Sequence, residues 1–148
     1  MNAPAAKSGS SAKGTLLLVD ADASSQELES KLLADLGYAV VTATDGNHAL
    51  RVLEMKFPKQ APVLIIADVI LPQLSGYELI RRIREKFDAK KVPAILLSKY
   101  KSREEELEVS NVGAQSLLSK PLSAEAISQA IDIIERSKKP QSAAVNKP

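Results

Sequence analysis

Two carboxylates, a hydroxyl and an ammonium group follow short apolar runs of this sequence. They belong to Asp20, Asp68, Ser98 and Lys120. Clustered carboxylates repel one another unless a cation or a proton lies between them, and a hard cation such as Mg²⁺ takes carboxylate, carbonyl and water oxygens. The Asp68 carboxylate could then act as a nucleophile toward phosphorus, while Ser98 and Lys120 hold the phosphoryl oxygens.

Five short apolar runs, four of which precede these side chains, have the composition of buried strands. They are Thr15–Val19, Ala39–Ala43, 63–67, 93–97 and 116–118. Continuous apolar runs of this length are typical of parallel strands that are buried on both faces. The sequence therefore predicts a five-stranded parallel sheet.

The segments between the runs have the spacing of amphipathic helices. The apolar stripes are formed by Leu28, Leu32 and Leu36, by Leu50, Leu53 and Phe57, by Leu79 or Ile80 with Ile83 and Phe87, and by Ile127, Ile131 and Ile134. Segment 102–112 has the weakest helical pattern, because it offers mainly Leu107 for burial. Gly37 and Gly113 are predicted to end helices, and Ser123 is predicted to cap the last one.

The alternation of strands and helices predicts an α/β fold, in which helices cover both faces of the sheet through right-handed crossovers. Ligands of open α/β sheets bind outside the carboxyl ends of the strands. The four polar side chains that follow the strands are therefore expected to meet at one edge of the sheet.

The composition excludes several classes of site. The 148 residues include no cysteine, one histidine and 3% aromatic residues. Disulfide scaffolds, thiolate metal sites, cysteine nucleophiles and His-rich metal sites are thereby excluded, and few rings are available to stack on nucleic-acid bases. No run of 18 apolar residues is present, so we expect no membrane span and no membrane partner.

The net charge of +2 is unevenly distributed along the chain. All 18 acidic residues lie between Asp20 and Glu135, whereas six of the 20 basic residues lie outside 15–135. The basic character comes from the chain ends, so we expect no direct binding of nucleic acid by the domain. The basic residues of the third helix segment are predicted to form a solvated face, with a partner surface as the alternative: Arg81, Arg82, Arg84 and Lys86.

The chain divides into three predicted parts. Residues 1–14 are predicted to be a disordered tail, because their Ala, Ser, Gly, Lys, Asn and Pro side chains bury too little apolar surface. Residues 15–136 form the predicted domain, and residues 137–148 are interpreted as a linker or a disordered tail. No signal peptide is recognisable, and we expect a cytoplasmic protein.

The motifs at the predicted strand ends resemble a response-regulator receiver domain, the phospho-acceptor module of two-component signalling. The resemblance covers about 15–136 and runs through LLLVDAD (16–22), LLADLGY (32–38), IIADVILPQLSGYELIRRIR (65–84), PAILLS (93–98) and GAQSLLSKP (113–121). The third stretch is the most specific, because Pro72 and Gly76 follow Asp68 by four and eight residues. The resemblance implies a flavodoxin-like, doubly wound (βα)5 fold with strand order 2-1-3-4-5.

The resemblance also implies a role for each polar strand end. Asp68 matches the phosphorylated aspartate, and Asp20 matches the first residue of the acidic pair that serves the Mg²⁺ site. Ser98 matches the residue whose hydroxyl binds the phosphoryl group. Lys120 matches the family's lysine, and its peptide bond to the following proline is expected to be cis. The main-chain carbonyl of Ile70 would be a further metal ligand.

The chain departs from the family pattern at the acidic pair and at the switch position. Ala21 stands where the second acidic residue is expected, which removes one charge and one oxygen and should weaken Mg²⁺ binding. Asp22 could substitute in part, although it lies one residue further round the loop. Leu117 stands where an aromatic switch residue is typical, so the switch position has no ring to turn inward.

Three further side chains flank the expected site. The ammonium of Lys99 either pairs with Asp68, in place of a metal, or points to solvent. Ile70 and Tyr100 occupy positions that flank the route of attacking water in the family. Their apolar bulk implies slow hydrolysis of a phospho-aspartate.

The resemblance implies a phosphorelay protein rather than an enzyme. Asp68 would take a phosphoryl group from a histidine kinase or a phosphotransfer protein with Mg²⁺, and any catalysis would be limited to self-phosphorylation and self-dephosphorylation. The aspartyl phosphate of this bacterial-type phosphoprotein would switch a surface for a downstream protein partner. That surface is formed by the fourth helix, the fifth strand and the fifth helix, and homodimerisation is left open.

The alternative is a pseudo-receiver, a phosphorylation-independent protein-interaction module. Ala21, Lys99 and Leu117 favour this alternative. A nucleotide- or flavin-binding domain is disfavoured, because the turn DADASSQ after the first strand has no glycine to cradle a phosphate. Mg²⁺-dependent phosphorylation of Asp68 would distinguish a working receiver from a pseudo-receiver.

Overall fold

The structure, a computed structural model, describes residues 13–138. Five parallel strands form its sheet: β1 (Thr15–Val19), β2 (Ala39–Ala43), β3 (Ile65–Asp68), β4 (Ala94–Ser98) and β5 (Ser116–Ser119). The strand order is β2-β1-β3-β4-β5. The predicted doubly wound, flavodoxin-like (βα)5 fold with order 2-1-3-4-5 is confirmed.

Five helices alternate with the strands: α1 (Ala23–Asp35), α2 (Gly46–Lys56), α3 (Gly76–Arg84), α4 (Arg103–Val112) and α5 (Ala124–Lys138). Each helix is preceded by a capping residue, whose side chain accepts a hydrogen bond from the backbone N–H three residues later. In chain order the capping residues are Asp22, Asp45, Ser75, Ser102 and Ser123. Such caps satisfy N–H groups that have no partner within the helix. Gly37 and Gly113 follow α1 and α4 with φ of +106° and +86°, which confirms the predicted helix ends; glycine adopts this region readily.

Alternate residues of the central strands point into two separate cores. One core combines Leu17, Val19, Ile65, Ala67 and Leu96 with apolar residues of α2, α3 and α4. The other combines Leu16, Leu18, Ile66, Ile95 and Leu97 with apolar residues of α1 and α5. Both faces of the sheet are therefore covered, which explains why its strands are continuously apolar.

Two predicted apolar stripes are wrong in part. Leu28 is 68% exposed, and the side chains of α1 that are buried are Glu29 and Leu33. Leu107 is 63% exposed, and α4 buries Val109 and Val112 instead. Neighbouring residues of a helix point about 100° apart, so a one-residue error in the stripe exchanges a buried side chain for an exposed one.

The predicted solvated face of α3 is wrong for Arg84. Its guanidinium donates hydrogen bonds to the carbonyl oxygens of Gly113 (2.9 Å), Val92 (2.7 Å) and Phe87 (3.3 Å). Burial lowers the pKa of Arg84, against the opposing charge of Asp88. Arg84 thus ties α3 to the end of α4 and to the segment before β4.

Helix α5 continues to Lys138, two residues beyond the predicted end of the domain. The predicted tails, 1–14 and 137–148, lie mainly outside the described residues. Within residues 13–138, no helix has the length and apolar character that a membrane span requires.

Candidate functional site

The direction of chain crossover reverses between β1 and β3, and the predicted polar residues lie at the carboxyl ends of these strands and their neighbours. Asp20 directly follows β1, Asp68 ends β3, Ser98 ends β4, and Lys120 directly follows β5. The parallel register pairs Val19 with Ala67. The expected meeting of strand ends at one edge of the sheet is therefore present.

A buried ion cluster occupies this edge. The Lys120 Nζ lies 2.6 Å from Asp68 Oδ2 and 3.0 Å from Asp20 Oδ2, and the side chains of all three are at most 11% exposed. Burial lowers the pKa of Lys120, but hydrogen bonds and charges of Asp68 and Asp20 outweigh burial and raise that pKa above its ordinary value. The ammonium group is therefore charged and offsets part of the negative charge of the two carboxylates. The peptide bond from Lys120 to Pro121 is cis, as the resemblance implied.

Glu29 is a third acidic side chain of the cluster, and the sequence analysis missed it. Its Oε2 lies 3.9 Å from Lys120 Nζ, and its Oε1 is buried without a hydrogen-bond partner among residues 13–138. Burial raises the pKa of Glu29 to about 9, and the adjacent Asp20 carboxylate acts in the same direction. No signal for Glu29 was available in the sequence, because the predicted apolar stripe of α1 ran through Leu28 and Leu32, whereas the helix buries Leu33 and with it Glu29.

Backbone groups hold both carboxylates at the strand ends. Asp20 Oδ1 accepts the N–H of Asp22 at 2.9 Å, and Asp68 Oδ1 accepts the N–H of Ile70 at 3.2 Å. The Gln26 side chain donates to the carbonyl oxygens of Asp20 and Ala43, both at 3.0 Å. The loop after β1 is thereby fixed to the ends of β1 and β2.

The Ser98 hydroxyl is already engaged in two hydrogen bonds. It donates to Glu105 Oε1 at 2.6 Å and accepts the N–H of Tyr100 at 3.1 Å. Ser98 is buried, whereas Glu105 lies half-buried in the first turn of α4. Ser98 is therefore linked to α4.

The protein oxygens available to a divalent cation are few. No group of three His, Cys, Asp or Glu side chains within residues 13–138 is arranged to hold a metal. The predicted substitute Asp22 caps α1 through its Oδ2, 2.8 Å from the Ser25 N–H, and this hydrogen bond lowers the pKa of Asp22. Mg²⁺ is commonly held by one or two carboxylates together with waters and phosphate oxygens. Asp20, Asp68 and the Ile70 carbonyl fit that requirement when non-protein oxygens complete the shell.

The flanking residues have distinct environments. Lys99 is exposed, forms neither a hydrogen bond nor an ion pair with Asp68, and contributes positive charge near Asp22. Ile70 and Tyr100 are 69% and 80% exposed. Leu117 is buried in the core that α2, α3 and α4 cover. Lys99 therefore follows the second of the two alternatives, in which its side chain is exposed to solvent and does not pair with Asp68.

Comparisons with known proteins find similarity over most of the chain. A family model for the response regulator receiver domain matches residues 16–132. An uncharacterized 14.6 kDa protein of Leptolyngbya boryana is 35% identical over 107 residues, which are 72% of this chain and 79% of that protein. The probable transcriptional regulator ycf27 of Pyropia yezoensis is 33% identical over 111 residues, which are 75% of this chain. These residues cover 43% of ycf27, so the chain spans less than half of that relative.

Among solved structures, the chemotaxis response regulator CheY4 of Vibrio cholerae is similar in fold and in sequence. It superimposes with a TM-score of 0.70 at 32% identity, and the match covers 81% of this chain and 97% of the CheY4 chain. The likeness therefore extends over almost the whole of that structure.

Proposed function

The chain belongs to the response regulator receiver domain family, and on that premise we propose that it accepts a phosphoryl group on Asp68 from a histidine kinase or a phosphotransfer protein. The observation that carries the proposal is the buried pairing of Asp68 Oδ2 with Lys120 Nζ at 2.6 Å. Asp68 stands at the carboxyl edge of the sheet, where α/β folds bind ligands.

The transfer is a displacement at phosphorus. A carboxylate oxygen of Asp68 forms the new P–O bond while the P–N bond of a phosphohistidine donor breaks, and the imidazole nitrogen keeps the electron pair and takes up a proton. Lys120 lies beside the attacking carboxylate and can balance charge on the phosphoryl oxygens. The Ser98 hydroxyl can donate a hydrogen bond to one of these oxygens.

Receiver domains generally bind Mg²⁺, and here Asp20, Asp68 and the Ile70 carbonyl would hold it. The cation would supply positive charge to the phosphoryl group. Because Ala21 contributes no oxygen, we propose that this chain binds Mg²⁺ more weakly than a receiver with two adjacent acids. The chemistry of the domain is limited to self-phosphorylation and self-dephosphorylation.

Ile70 and Tyr100 follow Asp68 and Ser98 by two residues, and both side chains are exposed at the edge of the sheet that carries the proposed phosphorylation site. We propose that they slow the attack of water, so that the phospho-aspartate persists for much longer than seconds. Persistence would give a partner time to bind the phosphorylated form.

The downstream partner of the proposed cytoplasmic phosphorelay protein would bind the α4-β5-α5 face. The phosphoryl group carries about 1.5–2 negative charges at pH 7 where the carboxylate carried one, and its oxygens are strong hydrogen-bond acceptors, which together can bias a two-state surface. Ser98 ends β4 and its hydrogen bond reaches α4, so the site is in direct contact with this face.

The test is intact mass after incubation with phosphoramidate or acetyl phosphate, with and without Mg²⁺. We expect a gain of one phosphoryl group that Mg²⁺ accelerates and that Asp68→Ala abolishes. Asp35→Ala, at an exposed position of α1 away from the cluster, is the matched control and should be labelled like the unmodified protein. No adduct under conditions that label an ordinary receiver would replace this proposal by a phosphorylation-independent interaction module.

A further inference from the structure

The Ser98 hydroxyl has one proton and two prospective acceptors. That proton lies in the 2.6 Å hydrogen bond to Glu105 Oε1, while the Tyr100 N–H occupies a lone pair of the same oxygen. A serine hydroxyl donates only one hydrogen bond. A phosphoryl oxygen on Asp68 can therefore receive the Ser98 proton only after the bond to Glu105 has been broken.

Glu105 is held in place for this contact by the start of α4. Its backbone N–H donates to the capping hydroxyl of Ser102 at 3.2 Å, which fixes the first turn of the helix. Hydrogen bonds to a charged acceptor are shorter and stronger than neutral ones. The Ser98–Glu105 bond is thus a specific restraint on the hydroxyl.

The Tyr77 hydroxyl, on α3, interacts with the Glu105 carboxylate, but no acceptor among residues 13–138 lies within ordinary hydrogen-bond distance of it. Its Oη is buried without a hydrogen-bond partner among the residues that the structure describes. Burial raises the pKa of Tyr77 to about 12, and the nearby Glu105 and Glu108 carboxylates act in the same direction. A buried donor without an acceptor is costly, so the Tyr77 hydroxyl would gain from a carboxylate released nearby.

We propose that Glu105 is a positioning residue that restrains the Ser98 hydroxyl in the unphosphorylated protein and transfers its carboxylate to Tyr77 when Ser98 turns to the phosphoryl group. Leu117 has no polar group, and the hydrogen bond of the Ser98 side chain to another side chain leads to Glu105 of α4. The exchange trades one hydrogen bond for another and changes the contact between two helices. This inference rests on the proposed phosphorylation of Asp68.

The first arm of the test uses no phosphate donor. Tyrosine Cζ signals of ¹³C-labelled protein are recorded by NMR and assigned by Tyr→Phe variants. Ser98→Ala releases Glu105, so we expect the Tyr77 signal to move toward its hydrogen-bonded position. The double variant Ser98→Ala/Glu105→Ala should return the signal to the unmodified value. A Tyr77 signal that is the same in all three proteins would overturn the exchange, whether or not Asp68 can be phosphorylated.

The second arm measures the initial rate of phosphorylation by phosphoramidate. Glu105→Ala removes the competing acceptor, and we expect the rate to rise about tenfold. Glu106→Ala, in the same helical turn but without contact to Ser98, should leave the rate unchanged. In the Ser98→Ala background, Glu105→Ala should have no effect on the rate.

The arms separate the two proposals. An unmodified protein that takes up no phosphoryl group contradicts the proposed function, while the NMR arm still decides the exchange. If the unmodified protein is phosphorylated and the Glu105→Ala and Glu106→Ala variants are phosphorylated at equal rates, the restraint by Glu105 is contradicted and the proposed function is not. A tenfold rise that persists without the Ser98 hydroxyl would also overturn the restraint.

Discussion

A side chain at Gly76 would collide with the main-chain carbonyl oxygen of Asp68. An ideal Cβ at this position would also approach Val69 Cα to 2.9 Å, and the Gly76 N–H donates to the Val69 carbonyl oxygen at 3.0 Å. The start of α3 is therefore packed directly on the end of β3. The eight-residue spacing between the phospho-acceptor candidate and this glycine is thus a requirement of backbone packing.

Gly76→Ala should destabilise the fold by about 2–3 kcal/mol, because the clash involves backbone atoms that cannot move independently. Urea unfolding followed by circular dichroism measures the change. Gln129→Ala, at an exposed position of α5, should stay within about 0.5 kcal/mol of the unmodified protein. Equal stabilities of the two variants would show that the loop after β3 relaxes freely.

The free energy of unfolding of Glu29→Gln should rise relative to that of the unmodified protein as the pH increases. The pKa of Glu29 is raised from 4.5 to about 9, so between these values the folded state binds a proton that the unfolded state lacks. The stability contributed by this proton is present below pH 4.5 and is lost as the pH rises toward 9. We expect the difference between Glu29→Gln and the unmodified protein to grow by up to about 4 kcal/mol between pH 5 and pH 8, since each pH unit between the two pKa values contributes about 1.4 kcal/mol.

Urea unfolding at the two pH values measures this difference. Glu27→Gln, at an exposed position of the same helix, is the control and should show almost no change with pH. A Glu29→Gln effect that is equal at pH 5 and pH 8 would mean that Glu29 is ionised in the folded protein.

Ala21→Asp should strengthen Mg²⁺ binding by about tenfold or more, because it restores a carboxylate next to Asp20. Isothermal titration calorimetry measures the dissociation constant in the absence of any phosphate donor. Asp20→Asn should weaken binding in both backgrounds. An unchanged affinity in Ala21→Asp would indicate that the loop after β1 turns this position away from the cation.

Arg84→Lys should destabilise the protein by about 1–3 kcal/mol, because one ammonium group cannot reproduce the hydrogen bonds of a guanidinium to three carbonyl oxygens. Arg82→Lys provides the comparison, since Arg82 is exposed and, among residues 13–138, its side chain pairs with Glu78 alone, at 3.4 Å. Thermal unfolding at one pH ranks both variants. A larger loss for Arg82→Lys would contradict the role of Arg84 as the tie between α3 and α4.

The sequence was sufficient to predict the fold class and the three residues of the Lys120 cluster that lie at strand ends. Buried parallel strands are continuously apolar, so the first charged residue after an apolar run, such as Asp20 or Asp68, marks the end of a strand in the sequence. Since parallel strands end at a common edge, residues far apart in the chain could be brought together without coordinates.

The sequence could not identify Glu29 as a member of the cluster or Glu105 as the partner of Ser98. Both are helical residues, and whether they face the site depends on the rotation of α1 and α4 about their axes. That rotation is decided by packing of the whole helix: Leu28 was predicted to be buried, but Leu33 packs on the sheet and carries Glu29 inward. Strand ends are thus determined by local composition, whereas the side chains that helices add to the site are decided only by the tertiary packing.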